Sequence, residues 1–272
     1  MEAFSFSGKH VLITGAGSGI GRLMALGAAR RGASHIVLWD LNLAGIKAVA
    51  EEISALGVKA STHKVDVSQR ASVIAAASAV SEEIGHLDVL VNNAGIVSGK
   101  SFLELEEKDI TSTFGVNTLA LFWTIQAFLP GMLERDSGRL VSIASAAGIA
   151  GSTKLTDYSG SKFAAVGVME ALRAELREAA SSVSALTVYP FYINTGMFDG
   201  VKSSSPLLRI QNQDVATAKI LDAIESPRRE LFLPGMVYSV RIFRLLPAAA
   251  FDWIADAFGI NKAMKNFRGR KK

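Results

Sequence analysis

Tyr158 and Lys162 are the residues of this sequence best suited to proton transfer. In the segment YSGSK they lie four residues apart, a spacing that puts both on one face of a predicted helix. A free tyrosine has a pKa of about 10, and a neighbouring ammonium group lowers that pKa by stabilising the phenolate. The phenol can then take a proton from an alcohol or return it to a carbonyl. Because this spacing also occurs on helix surfaces, the hypothesis needs support from other residues.

Two further polar residues fit the same chemistry. Ser145 follows a predicted strand in LVSIAS, and its hydroxyl can hydrogen-bond a substrate oxygen on which charge develops. The alternative is a turn serine before the small residues that follow it. Asn117 lies in an uncharged helical segment, where asparagine is a poor helix former and needs buried partners. We expect Asn117 to hold a water next to Lys162 in a proton relay.

A glycine-rich loop, TGAGSGIG, follows the first predicted strand and begins the first predicted helix. Glycines let the backbone approach a pyrophosphate closely, and the helix start offers unpaired N–H groups to the phosphates. Ile20 occupies the last position of the G-x-G-x-x-G pattern, so the glycines that matter are Gly15, Gly19 and Gly21, with Ser18 between them. Alone, such a loop is a weak signal that a plain strand-to-helix turn also explains.

Acidic residues after the second and third predicted strands indicate which dinucleotide binds. Asp40, followed by Leu41, is placed to accept hydrogen bonds from the adenosine ribose and would repel the extra phosphate of NADP. No basic residue in the loop or directly after Asp40 offsets that repulsion, so the sequence predicts NAD. The alternative is a helix N-cap for Leu43 onward, from Asp40 or Asn42.

Two more turns are predicted to line the cofactor site. Asp66, with Val67, would contact the adenine amino group, unless it only caps the helix after Ser68. The turn NNAG places its tight-turn residues beside the cofactor; its predicted contacts are Asn93, Ala94 and Gly95.

Short apolar runs alternate with longer amphipathic stretches along the chain. Strands are predicted at His10–Thr14, His35–Trp39, Lys59–Val65, Leu87–Val91, Arg139–Ile143, Val183–Tyr189 and Leu231–Leu233. Helices are predicted at Gly19–Arg31, Leu43–Leu56, Ala71–Ile84, through Asn117, and at about Asp157–Ala180 and Asp214–Ile224. This alternation predicts βαβ crossovers and one doubly wound α/β domain of the Rossmann type, residues 1–234, with its ligand at the carboxyl ends of the strands. Residues 235–272 are predicted to form an amphipathic, basic tail.

These motifs in this order resemble the short-chain dehydrogenase/reductase family from about Gly8 to Leu233. The resemblance rests on the TGAGSGIG loop, the NNAG turn, Asn117, Ser145, and Tyr158 with Lys162. It implies a seven-stranded parallel sheet with helices on both faces, and Tyr158 as catalytic acid/base, with Lys162 also holding the nicotinamide ribose. It further implies a homodimer or homotetramer built through the helices that carry Asn117 and Tyr158.

The resemblance also assigns residues near the nicotinamide. Pro190, Ile193 and Thr195 match positions that bind the cofactor, the last two at the carboxamide. Phe191 departs from the family, which usually has glycine there, and this puts the substrate side in doubt. The family places its substrate lid at about residues 191–212, whose apolar side chains favour a lipophilic substrate; ordinary packing on the sheet is the alternative. The predicted substrate contacts are Ser145, Tyr158, Phe191, Tyr192, Met197 and Phe198.

Within the family, VLWDLN, NTGMF and the tail are similar to the retinol and hydroxysteroid dehydrogenase branch. That similarity implies a retinoid, a sterol or another long-chain alcohol as substrate. The hydrophobic N-terminal anchor common in that branch is not seen, so we expect a cytoplasmic protein. Two alternatives stay open: a 3-oxoacyl or sugar carbonyl reductase, which usually takes NADPH, and a non-catalytic nucleotide- or lipid-binding module.

Composition excludes several classes of site. The chain has no cysteine, hence no disulfide or thiolate metal site, and its four histidines show no ligand spacing, so no metal site is predicted. The net charge is +4, but the last twelve residues contribute +6, which leaves the remainder at −2 and indicates no nucleic-acid partner. Uncharged residues 110–133 are interpreted as a buried or interface helix rather than a membrane span.

The tail leaves three uses open. Phe251, Ile254, Ala255 and Phe258 recur at helical spacing, and basic residues follow them. Such a helix can close the substrate pocket, pack on a partner subunit, or make a weak peripheral contact with a membrane.

Overall fold

A computed structural model describes residues 4–202 and 209–269. Part of the predicted lid, including Leu207 and Leu208, and the last three basic residues of the tail lie outside the described residues.

Seven parallel strands form one sheet in the order β3-β2-β1-β4-β5-β6-β7. Their side chains are mostly apolar and β-branched, and those of the central strands are buried on both faces, as a sheet covered by helices on both sides requires. The strands are β1 His10–Thr14, β2 His35–Asp40, β3 Lys59–Lys64, β4 Val89–Asn92, β5 Arg139–Ile143, β6 Ser184–Pro190 and β7 Glu230–Leu233. The predicted fold class is confirmed.

Nine α-helices are present among the described residues, and the larger ones cover the two faces of the sheet. They are α1 Gly19–Arg30, α2 Leu43–Ser54, α3 Arg70–Ile84, α4 Glu107–Phe114, α5 Ala120–Glu134, α6 Thr156–Glu178, α7 Gln213–Glu225, α8 Ser239–Phe243 and α9 Ala248–Ala257. One apolar core contains side chains of α1, α2 and α7, and the other contains side chains of α3, α5 and α6. The chain order of strands reverses between β1 and β4, and a ligand crevice is expected there.

The helix predicted through Asn117 is not a single regular helix. α4 and α5 are joined by a π-helical turn, Gly115–Leu119, so that the helical stretch runs from Glu107 to Glu134. By length and composition alone this stretch could span a membrane, and 44% of its most apolar window is buried inside the protein. Phe128 and Met132 pack in the core against the sheet, which supports the interpretation as a core helix.

The segment after residue 234 packs against the carboxyl end of the sheet. On α8, the Arg241 guanidinium bridges both carboxylate oxygens of Glu230 at 2.7 Å and also donates to the Tyr189 hydroxyl at 2.9 Å. Arg244 donates to the carbonyl of Ile149, in the loop after β5, at 3.1 Å. These bonds hold α8 against β6, β7 and the loop after β5.

The end of the chain crosses the same region. A short 3-10 helix, Ile260–Asn266, buries Met264 completely, in an apolar cluster that also contains Tyr158 and Tyr192. On α9, the predicted apolar face is turned towards the protein: Ala255 is buried, whereas Trp253 on the other side is exposed. The tail thus packs on the domain over much of its length.

Candidate active site

The glycine-rich loop leaves room for a phosphate group where β1 meets α1. Gly15 has a φ of +66°, which favours glycine, and a Cβ at Gly21 would lie 2.1 Å from the carbonyl oxygen of Gly15. α1 begins at Gly19 with its N-terminus beside the cavity. A close backbone approach and a helix start are what a pyrophosphate needs, so these residues fit a dinucleotide.

The NNAG turn is bonded directly to this loop. The Thr14 hydroxyl accepts from the backbone N–H groups of Asn93 and Ala94, both at 3.0 Å. The Asn93 side-chain amide donates to the carbonyl of Thr14 at 2.9 Å and to that of Gly15 at 3.2 Å. The two turns therefore form one rigid wall of the cavity.

Asp40 and Asp66 stand at the same edge of the sheet. The Asp40 carboxylate accepts from the backbone N–H groups of Gly17 and Asn42, both at 2.9 Å, and Asn42 rather than Asp40 caps α2. Asp66 accepts from the backbone N–H of Ser68 at 3.0 Å and from its hydroxyl at 2.6 Å. Both carboxylates line the cavity, so each can stabilise its own turn by hydrogen bonds and also face a ligand.

The basic side chain next to the glycine loop is already paired. The Arg22 guanidinium forms a two-point ion pair with Glu52 on α2, with Nε 3.0 Å from Oε1. The ion pair with Glu52 therefore competes with any binding of an additional cofactor phosphate by Arg22 near Asp40.

Tyr158 and Lys162 lie on one face of α6 and are both buried. The Lys162 ammonium is 5.7 Å from the centre of the Tyr158 ring and donates to the carbonyl of Ile143 at 2.9 Å. Ser145, two residues after β5, caps the 3-10 turn that follows it by accepting from the backbone N–H of Ala147 at 3.1 Å, and its hydroxyl lies 3.5 Å from the carbonyl oxygen of Pro190.

The pKa of Tyr158 departs from the sequence-based expectation. Burial raises the pKa of Tyr158 to about 12, and the neighbouring Ser145 hydroxyl lowers it by less. Burial also lowers the pKa of Lys162 to about 8. Both shifts arise because the charged forms lose hydration inside the protein. The predicted lowering of the tyrosine pKa is therefore wrong for the ligand-free protein, where the phenol is held neutral.

Asn117 lies in the π-helical turn, not in a regular helix as predicted. Its Oδ1 accepts from the backbone N–H of Ile96 at 2.9 Å, and its Nδ2 donates to the carbonyl of Ile96 at 2.9 Å and to the Ser161 hydroxyl at 3.0 Å. Asn117 thus ties the segment after the NNAG turn to α6. These protein groups are the buried partners that the structure shows for the Asn117 side chain.

One cavity of about 350 Å³ joins these groups. The structure brings to it every predicted site residue except Asn117, which lies behind its wall. The predicted residues that line it are Gly15, Ser18, Gly19, Ile20, Gly21, Asp40, Leu41, Asp66, Val67, Asn93, Ala94, Gly95, Ser145, Tyr158, Lys162, Pro190, Phe191, Tyr192, Ile193, Thr195, Met197 and Phe198.

The substrate side of the cavity is mostly apolar. The ring of Phe198 lies edge-on to Tyr158, with centres 5.8 Å apart, and to Tyr192 at 5.0 Å. Val237, Val240 and Ile260 of the tail also line the cavity, and sequence reasoning did not identify them. The amphipathic pattern of the tail is the sequence feature that could have indicated them. Closure of the substrate pocket was one of the three roles that this pattern left open.

Comparisons of sequence agree with this geometry. The family described as "short chain dehydrogenase" matches residues 9–205. The human protein named epidermal retinol dehydrogenase 2 is 42% identical over 98% of this chain and 87% of its own length. Human 17-beta-hydroxysteroid dehydrogenase 13 is 36% identical over 90% of this chain and 82% of its own length.

Solved structures with the same fold include two with bound dinucleotides. A short-chain dehydrogenase/reductase from Burkholderia phymatum in complex with NAD is 29% identical, with a TM-score of 0.75 over 89% of this chain and 95% of that one. A metagenomic short-chain oxidoreductase in complex with NADP is 28% identical, with a TM-score of 0.70 over 84% of this chain and 96% of that one. Fold similarity thus extends to proteins that bind either cofactor.

Proposed function

Because the chain belongs to the short-chain dehydrogenase family, we propose that it oxidises a lipophilic alcohol with NAD, or reduces the corresponding carbonyl compound, through Tyr158. The observation that carries this proposal is the cavity itself. A phenol, a hydroxyl and an ammonium group, on Tyr158, Ser145 and Lys162, line it beside a phosphate-binding loop, and the remaining wall is largely apolar.

The dinucleotide would supply the hydride acceptor or donor. Gly15, Gly19 and Gly21 would hold its pyrophosphate against the start of α1, and Asp40 would accept from its ribose hydroxyls. The carboxylate of Asp40 and the pairing of Arg22 with Glu52 both favour NAD over NADP.

In reduction, the neutral phenol of Tyr158 donates its proton to the carbonyl oxygen while Ser145 hydrogen-bonds that oxygen. In oxidation, Tyr158 must accept the proton, so the pKa of its phenol has to fall from the value in the ligand-free protein. Positive charge on Lys162, or entering the cavity with oxidised cofactor, favours the phenolate and acts in that direction.

The aromatic and aliphatic lining supports a lipophilic substrate. Burial of apolar surface contributes roughly 25 cal/mol per Å², and Phe191, Phe198, Val237 and Ile260 offer such surface next to Tyr158. We therefore propose a retinoid, steroid or other long-chain alcohol, a class that the names of the relatives also suggest. The apolar lining argues against a sugar carbonyl compound as the substrate. The presence of Tyr158, Ser145 and Lys162 in the cavity argues against a non-catalytic binding module.

Replacement of Tyr158 tests the proposal. Tyr158→Phe keeps the ring but removes the proton, so turnover should fall by about a hundredfold or more while NAD binding stays nearly unchanged. Turnover is followed by NADH absorbance on a panel of retinoids, steroids and aliphatic alcohols, and NAD binding by calorimetry. Tyr238→Phe, which removes a hydroxyl from an exposed side chain outside the cavity lining, is the control and should keep turnover. Undiminished turnover in Tyr158→Phe would exclude this residue as the acid/base.

We further propose that the protein is cytoplasmic, a homodimer or homotetramer, and able to make weak peripheral contact with membranes. Apolar side chains left exposed on α5 and α6, such as Phe122 and Phe163, support self-association. Exposed Leu245 and Trp253, near basic residues of the tail, support the membrane contact.

A further inference from the structure

Three of the four histidines, His10, His35 and His86, are far apart in sequence but meet at the amino ends of the strands, opposite the dinucleotide cavity, and Glu83 links His63 to this group. His10 begins β1, and its ring centre lies 4.8 Å from that of His86 and 6.2 Å from that of His35. Glu83 at the end of α3 stands between His35 and His63, at 3.6 and 3.3 Å from their Nε2 atoms. The histidines show no metal-ligand spacing along the sequence, but the fold brings them close to one another.

Within this group, His10, His86 and Asp88 can each point one ligand atom at a common space. These three atoms lie within 4.8 Å of one another, and His86 Nε2 is 3.6 Å from Asp88 Oδ2. Zinc bonds of about 2.0–2.2 Å place tetrahedral ligand atoms about 3.3–3.6 Å apart. The side chain of His86 is 44% exposed, so it can rotate towards the other two ligands.

Two hydrogen bonds orient these side chains, as is common in the metal sites of proteins. The Nδ1 of His10 lies 2.9 Å from the carbonyl oxygen of His86. Because a carbonyl only accepts, Nδ1 carries the proton and the lone pair of the neutral ring is on Nε2. Asp88, which is buried, accepts from the backbone N–H of His10 at 2.9 Å. A metal-binding histidine commonly donates its other ring N–H in this way.

We propose that His10, His86 and Asp88 bind one divalent transition-metal ion, Zn²⁺ by preference, with water completing the coordination. Two imidazoles and one carboxylate suit zinc and its neighbours rather than Mg²⁺ or Ca²⁺, which prefer oxygen ligands alone. The ion would link the start of β1 to the turn before β4. Since it binds the folded chain, it stabilises the fold. This site is independent of the proposed dehydrogenase reaction.

Lys9 modulates the proposed site. Its ammonium is 3.5 Å from Asp88 Oδ1, and its side chain is 35% exposed, so it can swing into solvent. A positive charge at that distance opposes a second cation. Removal of this charge should therefore tighten zinc binding, whereas removal of a ligand should weaken it.

Calorimetry with ZnCl₂ on the full chain, free of purification tag and stripped with chelator, tests the proposal. We expect one zinc per chain. Affinity should fall by about tenfold or more in His86→Ala, rise in Lys9→Gln, and stay unchanged in His63→Gln, a neighbouring histidine outside the triad. Zinc should also raise the melting temperature of the parent chain but not that of His86→Ala.

Three results would overturn the assignment: no saturable binding by the parent chain, equal affinity in His86→Ala, or a loss in His63→Gln instead. Circular dichroism without zinc checks that each variant folds. If His86→Ala does not fold, the direction of the change in Lys9→Gln decides, and weaker or unchanged binding there counts against the site. Dehydrogenase activity is measured separately, because its absence would contradict only the proposed function.

Discussion

Burial raises the pKa of Tyr158 and lowers the pKa of Lys162, and both shifts favour the neutral form of the side chain. Spacing along a helix predicts that two side chains are neighbours, but it carries no information about how much water surrounds them. The sequence therefore indicated the pair and its chemistry, while the direction of the tyrosine pKa depended on packing by residues such as Phe198 and Met264.

The shifted pKa of Lys162 predicts how stability depends on pH. Between the folded pKa of about 8 and an unfolded pKa of about 10.4, the unfolded chain binds more protons, so stability rises with pH across this window. The gain from this one group is up to about 3 kcal/mol. Above pH 10 the raised pKa of Tyr158 acts in the opposite direction, because the unfolded phenol loses its proton first.

Urea unfolding of the ligand-free protein between pH 7.5 and 9.5 measures this effect. Lys162→Met should flatten the pH dependence, because it removes the buried ionisable group. Lys219→Met, at an exposed position on α7, should keep the slope of the parent chain. Parallel pH profiles for all three proteins would show that Lys162 titrates as it does in the unfolded chain.

Asp40 carries the prediction about cofactor preference. The parent chain should prefer NAD, and Asp40→Asn should reduce the ratio of kcat/KM for NAD to that for NADP by about tenfold or more, or about 1.4 kcal/mol. The backbone N–H groups of Gly17 and Asn42 bond to different oxygens of the Asp40 carboxylate, so the asparagine removes the charge and keeps only one of these two hydrogen bonds. Steady-state kinetics with both cofactors give the ratio, and equal use of NAD and NADP by the parent would contradict the assignment.

At the scale of elements, the strands and the helices beside them follow from the local pattern, whereas two elements do not. The π-helical turn at Asn117 exists because its amide bonds Ile96 and Ser161, which are distant in sequence. The tail helices are placed by Arg241 and Arg244, whose partners are Glu230, Tyr189 and Ile149. No local sequence pattern predicts partners that are distant along the chain.

The tail also carries the prediction of membrane contact. Leu245, in the turn between α8 and α9, is 84% exposed, and Trp253, on α9, is 73% exposed. Replacing both by serine should weaken binding to anionic vesicles at low salt, since it removes the apolar surface that would enter the interface. Vesicle co-sedimentation measures the change.

The control for this experiment is Ile74→Ser, an exposed apolar residue on α3. Deletion of residues 261–272 would be a poor test, because it removes Met264 from the core. If the parent chain does not bind vesicles at all, the membrane contact is excluded.

At the scale of the whole molecule, we expect self-association in solution. The chain has a mass of 28.9 kDa, and sedimentation equilibrium should give two or four times that value. Phe122→Glu on α5 and Phe163→Glu on α6 should shift the distribution towards the monomer, because a charge is costly in an apolar interface. Ile74→Glu serves as the control, and a monomeric parent chain would contradict the prediction.

The sequence by itself determined the fold class and the order of elements, because hydrophobic periodicity and turn chemistry are local properties. Its motifs, together with the family resemblance that they carry, indicated most of the residues around the cavity. Only the tertiary structure decided the neutral state of Tyr158, the partners of Asn117, the tail residues in the cavity wall and the convergence of the histidines. These depend on burial and on contacts between distant segments, such as His10 with His86, which no spacing along the chain records.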